Sequence, residues 1–174
     1  GVNRYPDPQQ RKLKEVIAMR RGLAANQLLL GNGSDEVLDL IFRAFCIPNQ
    51  DNIIVMPPTY GMYKVLANIN CISLYEVPLS NDFQLVTKDI LNHISSRTKA
   101  IFLCSPNNPS GNSFHRADIL SLLKSFDGLV VVDEAYIDFS TQKSMVTELP
   151  YYPNLIITQT LSKAFGLAGI RLGF

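Results

Sequence analysis

Short, almost wholly apolar runs that alternate with segments of helical period constrain this chain more than any other feature. Ile53 to Met56, Ala100 to Cys104, Leu129 to Val132 and Leu155 to Ile157 lack the polar alternation of a half-solvated strand. A strand that is apolar on both faces has to be covered on both, and a parallel sheet is covered by the helices of its own crossovers. Those helices are legible between the runs. Val37, Leu38, Ile41, Phe42 and Phe45 recur at helical spacing, as do Ile119, Leu122 and Leu123. Shorter helices are expected from Met62 to about Ala67, and after Thr87, as a cap, through Leu91 and Ile94. Right-handed crossovers then give an α/β fold, a three-layer, mostly parallel sheet with helices on both faces. Leu28 to Leu30 and Ile72 to Val77 are expected as further strands. Gly1 to Pro8 reads as an extended arm, and Pro8 suits the first turn of a helix carrying Leu13, Val16, Ile17 and Met19 to a stop at Gly22.

A chain of 174 residues with this pattern suits one domain with a sizeable core. Its net charge of +1, with both signs mixed along the chain, gives no reason to expect nucleic acid or another polyanion as a partner. Cys46, Cys71 and Cys104 are widely spaced with no CxxC pair, which reads as reduced core thiols in a cytoplasmic protein, without a metal or disulfide role. No apolar run approaches the ~18 residues of a membrane span, and no signal peptide is visible. Without an initiator methionine, and with Phe174 inside a strand-like run, the chain is expected to be a piece of a longer protein.

In open α/β sheets ligands bind beyond the carboxyl ends of the strands. Gly31-Asn32-Gly33-Ser34-Asp35-Glu36 precedes a helix, so its first amides can hold an anion, or Ser34 or Asp35 can simply cap the helix. Ser105 to Gly111 is stiffened by two prolines and presents an asparagine amide in a fixed direction, or is merely a tight connection. Asp133 ends a buried strand, as a functional carboxylate or a cap. Lys163 is the sole charge between Leu155 and Ile170. It is a surface lysine, or an amine near an apolar core whose lowered pKa allows a Schiff base. In the second case Thr160, Ser162 and Arg171 offer two hydroxyls and a guanidinium to one phosphate. A phosphate and an aldehyde at opposite ends of one small ring describe pyridoxal phosphate. His93 and His115 lie on polar stretches and read as surface or cap residues. Adjacent Asp133 and Glu134 should point to opposite sides of their strand and not act as a pair.

In collinear order over nearly the whole chain, NRYPDP, GNGSDE, PPTYGMY, SPNNPSG, VVDEAYIDF and TLSKAFGLAGIRLG resemble the fold-type I pyridoxal-phosphate aminotransferases, and within them the histidinol-phosphate group and its close relatives. The resemblance implies that Lys163 holds the cofactor and shuttles the substrate proton, and that Asp133 pairs with the ring nitrogen. Asn108 and Tyr136 would bond the ring hydroxyl, with Tyr136 counted with Lys163 and Asp133 as catalytic, and Tyr60 would stack on the ring. Ser34, Asp35, Thr160, Ser162 and Arg171 would bind the phosphate. Tyr5 would reach the site of a neighbouring subunit in a homodimer. Thr160 stands where many members of the superfamily carry serine, which keeps the hydroxyl.

The implied layout is an arm over residues 1–7 and a truncated large cofactor-binding domain over residues 8–174. The small C-terminal domain, with its substrate-binding arginines, would be absent, as would an N-terminal segment, and the isolated fragment would be inactive. The implied reaction moves the amino group of L-glutamate to imidazole acetol phosphate, giving L-histidinol phosphate and 2-oxoglutarate in histidine biosynthesis. Threonine-phosphate decarboxylase, an aminotransferase-like effector domain of a transcription regulator, and a generic phosphate-binding α/β domain are the alternatives.

Overall fold

The computed structural model describes residues 3–174, so Gly1 and Val2 of the expected arm lie outside the described residues. In chain order the elements are α1 (Arg11–Arg21), β1 (Gly31–Asn32), α2 (Ser34–Phe45), β2 (Asn52–Val55), α3 (Met62–Ile69), β3 (Ser73–Glu76) and α4 (Thr87–Asn92). They continue with β4 (Thr98–Cys104), α5 (Arg116–Ser125), β5 (Leu129–Asp133), β6 (Leu155–Thr158) and β7 (Leu172–Gly173). The five strands β2 to β6 form one parallel sheet in the order β3-β2-β4-β5-β6.

Burial follows from the apolar runs. All of β2 is buried, and Val130, Val131 and Val132 of β5 are closed to solvent. Alternate residues of one strand face opposite layers. Ile53, Val55, Phe102 and Val131 pack with Leu38 and Phe42 of α2 and Tyr63 and Leu66 of α3. Ile54, Ile101, Leu103, Val130 and Val132 pack on the other side with Ile90 of α4 and Ile119 and Leu122 of α5. The Phe42 and Phe102 rings stack at 5.0 Å across the first interface. These two apolar layers make the three-layer α/β architecture that the runs predict. Among the described residues no helix is long and apolar enough to cross a membrane.

Several local expectations are corrected. Leu28 to Leu30 carries no strand ladder. Strand pairing starts at Gly31, whose β1 runs antiparallel to β7, Gly31 opposite Gly173. Leu28 and Leu29 instead line an apolar cleft whose far wall is Leu155, Ile156 and Ile157. No described strand lies between those walls, so the extended backbone at Leu28 has nothing to pair with.

Pro8 precedes α1 rather than entering its first turn. The Asp7 carboxylate accepts from the amides of Gln9 and Arg11, and the chain turns through Gln10 in the left-handed region, φ 53°. Gly22 does end α1, at φ 70°, with its amide donating to Ala18. On α1, Ile17 and Ala18 are buried while Leu13, Val16 and Met19 are exposed, so only part of the expected apolar face meets the core. Phe45 at the end of α2 is likewise half exposed. Thr87 is the first residue of α4, with Val86 at the cap position and no side-chain cap. Cys46 and Cys104 are core thiols, but Cys71, in a left-handed turn after α3, is exposed.

One close approach places the site. β7 passes over the start of α2 so tightly that a Cβ on Gly173 would overlap the Ser34 amide and the Gly33 carbonyl carbon. Glycine is what lets the strand that follows Arg171 lie against the helix start.

Candidate active site

The carboxyl ends of the strands deliver their loops to one cleft. Its walls are Gly33, Ser34 and Asp35 at the start of α2, Tyr60 after β2, and Cys104 at the end of β4. Asp133, Ala135 and Tyr136 follow from β5, and Thr160, Ser162, Lys163 and Arg171 complete it.

Asp133 is the deepest of these groups. It is 2% exposed; its Oδ2 accepts from the Tyr63 hydroxyl at 2.9 Å and its Oδ1 from the Ala135 amide at 3.1 Å. Burial pushes its carboxyl up to about 6 despite the opposing donors, Tyr63 first among them. No basic side chain pairs with it among the described residues. Thr158 is its partner in register on β6, with its hydroxyl buried on the same side. A buried carboxylate with no counter-cation, open to a cleft, suits a ligand that brings a cationic N–H.

Glu134 faces the other way, as the alternation of a strand requires. Its carboxylate accepts from Ser144 Oγ at 2.6 Å, the Met145 amide at 2.7 Å and Gln159 Nε2 at 2.7 Å, and burial raises its pKa. It serves as a structural clamp between the ends of β5 and β6.

Lys163 sits on the rim, its Nζ 5.4 Å from the centroid of the Tyr136 ring. The expected apolar surroundings of the amine are not there. Residues 163–171 run exposed over the edge of the cleft, and Phe165, Leu167 and Ile170 are themselves open to solvent. Tyr136 Oη accepts from Asn108 Nδ2 at 3.3 Å. Asn108 does not line the cleft; it borders a neighbouring hollow with Pro109, Gly111 and Phe139 and reaches the site through Tyr136. Tyr60 donates its hydroxyl to Asp35 Oδ1 at 3.1 Å and sets its ring edge-on to Tyr63 at 5.6 Å. Burial and the Asp35 charge raise the Tyr60 pKa, which keeps it a donor.

Part of the rim is built for an anion. The residue before α2 is Gly33, and no side chain caps the helix, so neither Ser34 nor Asp35 uses its side chain as the plain capping reading requires. Glu36 instead accepts from the Asn32 amide at 2.5 Å, holding the turn. The Thr160 hydroxyl lies 3.0 Å from Ser162 Oγ and accepts from the Ser162 amide at 3.1 Å. Among the described residues the side chain of Arg171, at φ 53°, makes only long bonds, 3.4 Å each, to the carbonyls of Asn32 and Ala168. Its guanidinium lies against Gly33, where a Cβ would come within 2.5 Å of Nη2. Helix amides, two hydroxyls and an under-used guanidinium therefore share one rim. Tyr5 is fully exposed on the arm and takes no part in its own chain's cleft.

Sequence reasoning missed Tyr63 and Asn107. Asn107 is buried and ties two loops together: its Nδ2 donates to the Pro58 carbonyl at 2.9 Å and Ser110 Oγ at 2.7 Å, and its Oδ1 accepts from Thr59 Oγ1 at 3.2 Å. Nothing local distinguishes Asn107 from Asn108. For Tyr63 there was a signal, since it lies one helical turn after Tyr60 and so shares its face.

The model of the family described as aminotransferase class I and II matches residues 1–174. A histidinol-phosphate aminotransferase of Flavobacterium johnsoniae is 63% identical over 173 residues, covering 99% of this chain and 50% of the relative. Among solved structures, a histidinol-phosphate aminotransferase from Sinorhizobium meliloti in complex with pyridoxal-5'-phosphate superposes with a TM-score of 0.88 at 25% identity, over 98% of this chain and 47% of that one. The L-threonine-O-3-phosphate decarboxylase from Porphyromonas gingivalis superposes with a TM-score of 0.82 at 25% identity, over 98% and 53%. The chain thus spans about half the length of the curated relatives it matches.

Proposed function

The chain belongs to the aminotransferase class I and II family, and from that premise we propose that the whole protein is a pyridoxal-phosphate-dependent histidinol-phosphate aminotransferase. It transfers the amino group of L-glutamate to imidazole acetol phosphate. The observation that carries the reading is Asp133, a buried carboxylate without a counter-cation among the described residues, in a cleft also lined by anion donors.

The residues present fit the cofactor. Asp133 would accept from the protonated ring nitrogen, which relieves its own uncompensated burial. Asn108 and Tyr136, already bonded to each other, would hold the ring hydroxyl, and Tyr60 would cover one ring face. The Ser34 and Asp35 amides, Thr160, Ser162 and Arg171 would hold the phosphate. When bound, the cofactor supplies an electron sink for the carbanion at the substrate α-carbon. Lys163 Nζ would anchor the cofactor and, once freed by substrate, take the proton from the α-carbon and return it on the far side of the transfer. Its exposed position on the rim gives the amine room to leave and return.

Two further parts of the reading are proposals of the same standing. The active form is a homodimer in the cytoplasm, with Tyr5 of one subunit reaching the phosphate of the other, which its full exposure permits. Substrate-specific contacts come mostly from outside this chain, which spans half of its relatives.

The test is Lys163→Ala in the full-length protein. Because Lys163 is exposed, the cofactor-free variant should fold with an unchanged Tm, and the enzyme should lose transamination. Appreciable turnover in the purified variant would overturn the assignment. The structural likeness to the P. gingivalis decarboxylase favours a second reading, decarboxylation of a phosphorylated amino acid. Offering the full-length enzyme both substrate classes decides between the two.

A further inference from the structure

We propose that Tyr63 is a positioning residue for the ring nitrogen of the cofactor, acting through Asp133: its hydroxyl fixes that carboxylate and keeps it ionised. This rests on the reading of Asp133 as the partner of that nitrogen.

Tyr63 is fully buried in α3 and does not line the cleft. Its ring is wedged between Phe102, 5.4 Å away, and the edge-on Tyr60, 5.6 Å away, so the phenol has one direction available. That direction ends on Asp133 Oδ2 at 2.9 Å. A buried hydroxyl has to find an acceptor, and a carboxylate is the strongest one within its reach. Burial, and then the Asp133 charge, raise the phenol's pKa, so it stays a donor at every physiological pH.

With Oδ2 bonded to Tyr63 and Oδ1 bonded to Ala135, the carboxylate plane is held from two sides. Each carboxylate oxygen offers two acceptor sites, so one on each remains for a ligand. The polar groups facing Asp133 are Tyr60 after β2, Tyr63 from α3, Cys104 at the end of β4, Thr158 from β6 and Asp35 from the start of α2. None of them is a cation. Against the burial penalty, the phenol is the foremost group favouring the charged form.

Removing the phenolic donor raises the proton affinity of Asp133. In the complex the proton shared with the ring nitrogen then retreats toward the carboxylate. The experiment uses the full-length protein with ¹⁵N-labelled pyridoxal phosphate and reads the ring-nitrogen chemical shift in wild type, Tyr63→Phe and Asp133→Asn. In parallel, the cofactor-free protein is titrated by infrared spectroscopy for the carboxylic-acid band that Asp133→Asn removes.

The expected result is a protonated ring nitrogen in wild type that moves toward the neutral pyridine value in Tyr63→Phe. The infrared midpoint should rise by about one pH unit, the scale of one hydrogen bond to a charged group. A general loosening of the core would not move these two signals together in that direction. Should Tyr63→Phe fail to fold, 3-fluorotyrosine at position 63 keeps the packing and strengthens the donor, and the infrared midpoint should then fall. Unchanged midpoints in these variants, or an unchanged ring-nitrogen shift in Tyr63→Phe, would overturn the role of Tyr63. A neutral ring nitrogen in wild type, or one that Asp133→Asn leaves unaltered, would overturn the reading of Asp133 and this inference with it.

Discussion

Asparagine at position 133 of the cofactor-free protein isolates the cost of burying one negative charge. The Asp133 carboxyl sits at about 6 in the folded state against 3.8 when exposed, because burial outweighs the bonds from Tyr63 and Ala135. The native state therefore binds this proton more tightly than the unfolded chain. The favourable contribution of the group is fully present below pH 3.8 and is lost as the pH rises through 6. Above that, the ionised carboxylate costs about 3 kcal/mol, the free-energy equivalent of the shift. Asparagine carries no such cost at any pH. Its amide nitrogen has to be placed against Tyr63 or Ala135, which adds an offset that does not vary with pH. Urea unfolding of both proteins between pH 4 and pH 8, with the m-value checked for constancy, gives their stability difference. It should move in favour of Asp133→Asn by about 2 kcal/mol across that range, the remainder falling below pH 4. Glu134 also titrates, but it does so in both proteins and cancels. A stability difference that stays flat with pH would refute the argument that Asp133 is buried without compensation.

Gly173→Ala should destabilise the protein by about 2 kcal/mol or more, because the new Cβ overlaps the backbone of Gly33 and Ser34 and forces β7 off the start of α2. The shift in urea midpoint checks it, and a wild-type midpoint would mean that the strand can move away freely. Asn107→Ala should cost about 2 kcal/mol, since it deletes the bonds to Pro58, Thr59 and Ser110 and leaves buried polar groups behind. Asn108→Ala, whose side-chain amide bonds only the Tyr136 hydroxyl among the described residues, should cost well under half of that in the same assay.

Much of this protein is determined by its sequence alone, because burial periodicity is a local property. The runs at Ile53, Ala100, Leu129 and Leu155 are apolar on successive residues, and a strand of that kind has to be covered on both faces, which dictates the layers. Alternation along β5 likewise sends Asp133 and Glu134 to opposite sides whatever surrounds them. The gathering of the loops follows too, since parallel strands present their carboxyl ends together.

Only the tertiary structure decided the rest, where a residue's role depends on a partner far away in the chain. Tyr63 and Asp133 lie 70 positions apart, and Asn107 and Pro58 lie 49 apart. Leu28 to Leu30 has the composition of a strand, yet a ladder needs a neighbour, and no described strand lies beside it. The exposure of Lys163 was unreadable for the same reason, since its sequence neighbours are apolar and small while its spatial neighbours are the Tyr136 ring and solvent. Periodicity states which face of an element is buried. Hydrogen-bond geometry and close approach are set by what the fold brings against that face.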